Sequence, residues 1–433
     1  MNPIRMRIFA PAAALLLASP LGAQSADTLP VATRERIVSE LDRNVKRYFA
    51  HWEAVPDLDY PREFAAYRAR AVATADRRAF DLAAMEFMAG LRNGHTGYGD
   101  QWLWERDGAP LPLRLARVEG RWAVLWSRVE GVRAGDVVES IDGESFEDFF
   151  RRNRRYVAGS SERAVRYMFG TRSFLFPPRF TLRLAGGRDV AVVRQRAASS
   201  TTPPSAPRLT HRWLVPDSVG YLRVPSFGDG AYQAAALDLL QRDFRGASAL
   251  VVDLRGNGGG STPWKLRKAL MGGFRHRSRR DGPDKVRPSI FYRMAIPVVL
   301  KLYPVPTFRG DLVFLVDGGC ASACEDLLLQ FKDNGRAVLV GDTTFGSTGQ
   351  PRFLDLGGGI TAQVSARRVR FPDGAPFEGV GVAPDVYLPV TLDGLRAGSD
   401  PLPERALALI RSGAARYPRR AQAPPHNSAP PPR

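Results

Sequence analysis

The sequence predicts an α/β protein in which a layered core of strands and helices carries a helical unit on its N-terminal side and an inserted, mostly β module. Three observations predict it. Strands and helices alternate between Ser218 and Val340, the rhythm of a layered α/β domain. Apolar residues recur three or four apart at Ile37, Leu41, Val45 and Tyr48, which is helical spacing. From Leu111 to about Arg196 the pattern shortens to alternating strands.

A chain of 433 residues exceeds one ordinary core, so two or three folded units plus tails are expected. With 44% hydrophobic and 24% charged residues, the composition is that of a soluble globular protein rather than a disordered or membrane-embedded one.

Residues 1–26 read as a signal peptide: Arg5 and Arg7, an apolar run from Ile8 to Leu17, then small residues around Gly22, Ala23 and Ala26. A membrane anchor would need about 20 apolar residues, and the run falls well short. No other stretch is long enough to span a bilayer, and no Cys lies near the cleavage region to accept a lipid. The expected location is periplasmic or secreted.

Residues 27–110 form the helical unit, with helical spacing from Thr33 to Trp52 and again from Phe64 to Leu91. It ends in Arg92-Asn93-Gly94-His95-Thr96-Gly97, where two glycines and an Asn force a turn that leaves an imidazole on a loop. Residues 111–197 are the β module, with strands at Trp122–Trp126 and Arg179–Leu184. Residues 198–208, rich in Ser, Thr and Pro, are a linker.

Residues 209–395 are the core: a strand at Ser218–Val224, a helix at Tyr232–Phe244, then strands at Ala249–Val252, Leu312–Val316 and Ala337–Val340, with a helix at Ser322–Asn334. Residues 396–433 are a C-terminal helix followed by a Pro- and Arg-rich tail without a fold of its own.

Lys and Arg number 62 against 44 acidic residues, a net charge of +18. Apart from a loop with Arg275, Arg277, Arg279 and Arg280 and a tail with Arg416, Arg419 and Arg420, these charges are scattered and no aromatic-interleaved basic stripe accompanies them. That argues for a solvated surface and against a nucleic-acid partner. The basic tail is a candidate for peripheral contact with the cell envelope. No His-Glu-x-x-His, paired His or Cys-x-x-Cys occurs, so neither a metal nor any other cofactor is expected.

Ser322 stands after the strand Leu312–Val316 and before a helix, surrounded by Gly318, Gly319, Ala321 and Ala323. A serine at such a turn meets backbone N–H groups and the positive helix end, as a nucleophile does. Locally, Ser322 and Glu325 fit a helix capping box equally well. The glycine-rich turn Gly256–Gly260 is a second place for bare backbone to approach a substrate, and no Gly-Lys-Ser/Thr follows to make it a phosphate loop. The two cysteines, Cys320 and Cys324, flank Ser322, and a disulfide and a pair of buried thiols both fit their spacing.

Four ordered segments then make a pattern: Asp253-Leu254-Arg255-Gly256-Asn257-Gly258-Gly259-Gly260, Ser322-Ala323-Cys324-Glu325, Gly341-Asp342-Thr343-Thr344-Phe345-Gly346, and Gly379-Val380-Gly381-Val382-Ala383-Pro384-Asp385. Their order and spacing resemble the C-terminal processing (tail-specific) peptidase superfamily. The resemblance implies a crotonase-like core, a PDZ-like module at residues 111–197 and a serine-type endopeptidase acting on protein or peptide substrates. Members that pair Ser with Lys place the Lys after the Thr-Phe-Gly segment, where this chain has Ser347 and no Lys beyond Lys332. The tricorn-like and chlamydial-protease-like branch uses Ser, His and Glu, and on that resemblance Ser322 is the nucleophile, His95 the base and Glu378 its orienter. Asp373 is a neighbouring alternative orienter. Ala323 with Gly258 or Gly259 would furnish the oxyanion hole, while Asp253 and Arg255 read as structural. A non-catalytic ligand- or peptide-binding protein on the same fold is the competing expectation, and the intact Ser, His and Glu argue against it.

Overall fold

The computed structural model describes residues 27–194, 209–228, 231–271, 279–281 and 307–416. The signal segment 1–26, the linker 198–208, most of the Arg275–Arg280 loop and the tail beyond Arg416 lie outside the described residues.

The core is a six-stranded sheet in the order Val386–Tyr387, Val338–Gly341, Asp311–Val316, Ala249–Asp253, Val219–Arg223 and Thr210–Val215. The first five strands run parallel and the last pairs antiparallel with its neighbour. Strand Ala249–Asp253 is buried along its whole length because both faces of the sheet are covered. Leu250, Val252, Leu312 and Phe314 point to one face, packing with Leu328 and Phe331 of helix Ala323–Asp333. Val251, Val313 and Leu315 point to the other, against Leu402, Ala406 and Leu409 of helix Leu402–Arg411. This two-sided burial explains why these strands read as continuous apolar runs rather than alternating ones.

The N-terminal unit is less separate than its sequence suggests. Helix Val31–Tyr48 buries Ile37, Val38, Leu41 and Val45. The pattern from Phe64 to Leu91 is two helices, Tyr60–Ala73 and Arg77–Ala89, the second capped by Asp76, whose side chain accepts from the Ala79 N–H. The helices pack on Leu356, Ile360, Ala362 and Val364. Those residues belong to the antiparallel strands Pro351–Gly357 and Ile360–Ser365, and the latter pairs with Gly97–Asp100. That pairing carries the His95 turn onto the core.

Between them, strands Leu113–Val118 and Arg121–Ser127 form a hairpin, and Val138–Ile141, Glu144–Ser145, Arg179–Leu184 and Arg188–Val193 form a four-stranded sheet. Two helices, Phe146–Asn153 and Glu162–Phe169, fill the long excursion after Glu144. Their aromatic residues close on Trp122, with Phe146, Phe149, Phe150, Phe169 and Phe176 in one cluster. The helix Glu162–Phe169 also sends Tyr167 to the glycines ahead of Ser322: a Cβ built on Gly319 would lie 2.4 Å from the Tyr167 hydroxyl.

Candidate active site

Ser322 is the N-cap of helix Ala323–Asp333 and holds φ 58°, ψ −122°, a conformation that L side chains avoid. A non-glycine residue in such a region costs on the order of 1–3 kcal/mol and persists only where its surroundings force it. Here the surroundings are visible. The Ser322 N–H reaches Ser347 O at 3.0 Å and Glu325 Oε2 at 3.3 Å, and the Thr348 hydroxyl donates to Ser322 O at 3.1 Å. The capping contact from Glu325 and the exposure of the serine hydroxyl therefore coexist. Ser322 Oγ lies 3.0 Å from His95 Nε2.

The base-side loop is built to bring that ring in. Asn93 is fully buried and its Oδ1 accepts the His95 N–H at 2.9 Å, which tightens the turn. Gly94 has no room for a side chain: a Cβ there would lie 2.8 Å from Ser347 Oγ and 2.9 Å from Phe345. Burial chiefly, with the nearby His51 imidazole adding to it, lowers the His95 pKa to about 4. The ring is thus neutral at pH 7, as a proton acceptor must be.

Glu378 is brought to the same place, but not into contact with the imidazole. His95 Nδ1 lies 2.8 Å from Ser347 Oγ, and Ser347 Oγ donates to Glu378 Oε1 at 2.6 Å. The same carboxylate oxygen accepts from Asn93 Nδ2 at 2.8 Å and from the Ser160 hydroxyl. A hydroxyl has one proton to give. Because Ser347 gives its proton to Glu378, it accepts from the His95 Nδ1–H, and Nε2 is left unprotonated toward Ser322. Burial raises the Glu378 pKa to about 7, against the lowering effect of the Ser160 and Ser347 hydrogen bonds.

Ser347 is in turn held by Glu325. That fully buried carboxyl accepts the Ser347 N–H at 2.9 Å, the Gly346 N–H at 2.6 Å and the Thr344 hydroxyl. Burial pushes Glu325 up to about 8.

On the other side of the serine, Gly259 touches the nucleophile turn: a Cβ there would lie 2.7 Å from Ser322 Cβ and from Ala321 O. Its own N–H is donated to Asn257 Oδ1 at 2.9 Å. Gly258 faces open space, and Ala323 opens the helix.

Among curated proteins, the C-terminal processing peptidase of Tetradesmus obliquus chloroplasts is 27% identical over 289 residues, 63% of this chain and 58% of its own length. A carboxyl-terminal-processing protease of Picosynechococcus sp. is 30% identical over 176 residues, 40% of each chain, and a tail-specific protease of Haemophilus influenzae is 27% identical over 223 residues, 49% of this chain and 30% of that one. The chain thus spans 58% or less of the length of these relatives. The sequence pattern of peptidase family S41 matches residues 218–388. That matched segment holds Ser322, Ser347 and Glu378, while His95 lies outside it.

The chain has the fold of two solved proteases. The crystal structure of mature CPAF aligns with a TM-score of 0.64 at 15% identity, covering 88% of this chain and 98% of that one. The photosystem II D1 C-terminal processing protease aligns with a TM-score of 0.51 at 20% identity, covering 89% and 98%.

Several expectations are sharpened or corrected. The structure brings His95 and Ser322 together directly, and Glu378 only through Ser347. Asp373 is not an orienter, since it sits in an exposed turn and accepts the Ala375 N–H. Lys332 is turned to the Ala383 carbonyl and to Asp385, away from Ser322. Arg255 pairs with buried Asp253 and with Asp400, a structural tie across the sheet end. The disulfide left open between Cys320 and Cys324 is absent; both thiols are free and buried, and Cys320 Sγ donates to Leu254 O at 3.1 Å.

Sequence reading passed over Asn93, Ser160 and Glu325 as parts of the site. Ser347 carried a signal, because it fills the position where a Lys was sought. Among the described residues no group of three or more His, Cys, Asp or Glu is placed to hold a metal, and no helix is long and apolar enough to cross a membrane.

Proposed function

We propose that this chain is an exported serine endopeptidase that hydrolyses peptide bonds in protein or peptide substrates through an acyl-enzyme on Ser322. The observation that carries the reading is the 3.0 Å approach of His95 Nε2 to Ser322 Oγ at a strained strand-to-helix turn. In the proposed cycle the unprotonated Nε2 takes the Ser322 proton as Oγ attacks the carbonyl carbon. The N–H groups of Ala323 and Gly258 then hold the oxyanion, and His95 returns the proton to the leaving amine. Glu378 stabilises the imidazolium through the Ser347 hydroxyl. Water, activated by the same ring, releases the product.

The parallel sheet of residues 219–387 would be the crotonase-like core, and residues 111–197 a PDZ-like module presenting an extended peptide to the cleft. Export rests on the basic and apolar pattern of residues 1–26, which favours a periplasmic or secreted protein.

Fluorophosphonate labelling of the purified mature protein tests the reading, with Ser322→Ala and His95→Ala alongside. The wild type is expected to label at Ser322 and neither variant is. Labelling that survives in Ser322→Ala would sink the assignment, and an unlabelled wild type that binds peptide tightly would make the chain a binding protein.

A further inference from the structure

The inserted module reaches the active site through the helix Glu162–Phe169 and the turn before it. Gly159 lets the chain fold back onto that helix: a Cβ there would lie 2.8 Å from Val165 Cγ2 and 2.9 Å from Val165 N. Ser161 caps the helix by accepting the Ala164 N–H at 3.2 Å. Ser160 is pinned between the two. Its carbonyl lies against the Glu378 turn, where a Cβ on Gly379 would stand 2.7 Å from Ser160 O. One turn further on, one Arg163 nitrogen donates to Thr344 O at 2.7 Å and to Val380 O at 3.0 Å, tying the segment before Ser347 to the turn after Glu378.

Ser160 Oγ accepts the Gly94 N–H at 2.8 Å and donates to Glu378 Oε1. That oxygen also takes Asn93 Nδ2 at 2.8 Å and the Ser347 hydroxyl at 2.6 Å, so three side-chain donors among the described residues converge on one atom. Asn93 moves with the His95 loop, and Ser347 is the group the carboxylate has to control. Ser160 is anchored outside both. Burial pushes Glu378 up to about 7, and the Ser160 hydroxyl heads the hydrogen bonds that pull it back.

The position of Oε1 decides where a proton goes. Ser347 Oγ has one proton and two neighbours able to take it, His95 Nδ1 at 2.8 Å and Glu378 Oε1 at 2.6 Å. Given to Glu378, it leaves Ser347 accepting from Nδ1–H, with Nε2 free to act as base. Given to Nδ1, it puts the ring proton on Nε2, which can then take nothing from Ser322.

We infer that Ser160, carried by the inserted module, is a positioning residue of the active site: its hydroxyl holds Glu378 Oε1 where that oxygen takes the Ser347 proton, and so keeps His95 in the tautomer with Nε2 free. This role rests on the peptidase reading and gives the module a part in the chemistry. The His95 turn does not depend on Ser160, because Asn93 Oδ1 accepts the His95 N–H and the Thr96 hydroxyl, and the Thr96 N–H bonds Asn93 O.

The test uses the full mature chain as wild type, Ser160→Ala, Ser160→Thr, Ser347→Ala and the double variant Ser160→Ala/Ser347→Ala. The readouts are the rate of fluorophosphonate labelling, kcat and KM on a fluorescent casein, and the melting temperature. Ser160→Ala is expected to lower the labelling rate and kcat by roughly tenfold, with KM within about twofold of wild type. Its melting temperature should fall by no more than about 3 °C. Ser160→Thr keeps the hydroxyl and should stay within about threefold of the wild-type rate.

The double variant separates positioning from a structural tie. Once Ser347→Ala has broken the link, Ser160→Ala should change the rate by less than about twofold. The same fold loss in both backgrounds, a Ser160→Thr enzyme as slow as Ser160→Ala, or a larger fall in melting temperature would make Ser160 a structural tie and overturn the inference. A Ser160→Ala enzyme that labels at the wild-type rate would overturn it too, and would leave Ser322 as the nucleophile. A wild type that does not label would remove the peptidase reading itself, and this inference with it.

Discussion

Ser347 Oγ lies 2.8 Å from His95 Nδ1 and makes the hydroxyl link between that ring and Glu378. Ser347→Ala breaks this link while leaving Ser322 and His95 in place. General-base assistance is worth roughly 10²–10⁴-fold in rate, and loss of an orienting partner forfeits part of it. We expect peptide-hydrolysis kcat and the fluorophosphonate labelling rate to fall by roughly 10–100-fold, with KM unchanged. A Ser347→Ala enzyme at full rate would show that Glu378 acts without it.

Gly258 and Gly259 are neighbours with opposite tolerances. A Cβ at Gly259 would meet Ser322 Cβ at 2.7 Å and Ala323 N at 2.8 Å, on a backbone at φ +91°, while one at Gly258 meets nothing within 4 Å. Gly259→Ala is expected to destabilise the protein by more than about 1 kcal/mol and to abolish labelling. Gly258→Ala should leave thermal stability within about 0.5 kcal/mol of wild type. Urea melts of the two variants make the comparison, and equal losses would contradict it.

Ser322 carries strain that glycine would relieve. With φ 58° and ψ −122°, Ser322→Gly is expected to raise stability by about 1 kcal/mol while removing all labelling. A lower denaturation midpoint for this variant would mean that the serine's own contacts outweigh its backbone cost.

The site's ionisable groups set two pH responses. His95 is lowered to about 4 from an ordinary 6.5, so labelling should persist at pH 5, where an unperturbed imidazole would be mostly protonated. Half-maximal labelling near pH 6.5 would contradict the buried neutral ring. Stability follows the other groups.

A folded value below the unfolded one makes the His95 contribution present above about 6.5 and lost as the pH falls toward 4. Glu378 rises to about 7 and Glu325 to about 8, each from 4.5, and Asp81 rises to about 8 from 3.8. Their contributions are full below about pH 4 and are lost as the pH climbs through 7 and 8. Three groups oppose one, so the melting temperature should decline between pH 5 and 8 in a calorimetric series.

Cys320 and Cys324 should behave as inert thiols, since burial raises both pKa values and the thiolate is the reactive form. Intact mass is expected to be the same with and without reductant. Alkylation should occur only after unfolding. A mass about 2 daltons lower without reductant would reveal a disulfide.

Much of this molecule was legible in its residues. The apolar runs Leu312–Val316 and Ala249–Val252 gave the central parallel strands, since a strand covered on both faces needs no polar alternation. The turn chemistry of Arg92–Gly97 placed His95 on a loop, and the small residues around Ser322 placed it at a strand-to-helix turn. Each of these is local: backbone preference and hydrophobic period act over a few residues.

The break at Thr74 between two helices was less legible, because the apolar spacing runs on across it and the Asp76 cap marks the restart only weakly.

By itself the sequence determined which residue types stand at the ends of which strands, and that no lysine is available where a base was needed. Only the tertiary structure decided which atoms meet. His95 and Ser347 are 252 residues apart in sequence, and Ser160 and Glu378 are 218 apart. Nothing in local pattern encodes a hydrogen bond across such separations. That is why Ser347 was read as a missing lysine and is found as the link to Glu378, and why the Gly259 N–H, open in sequence, proves already taken by Asn257.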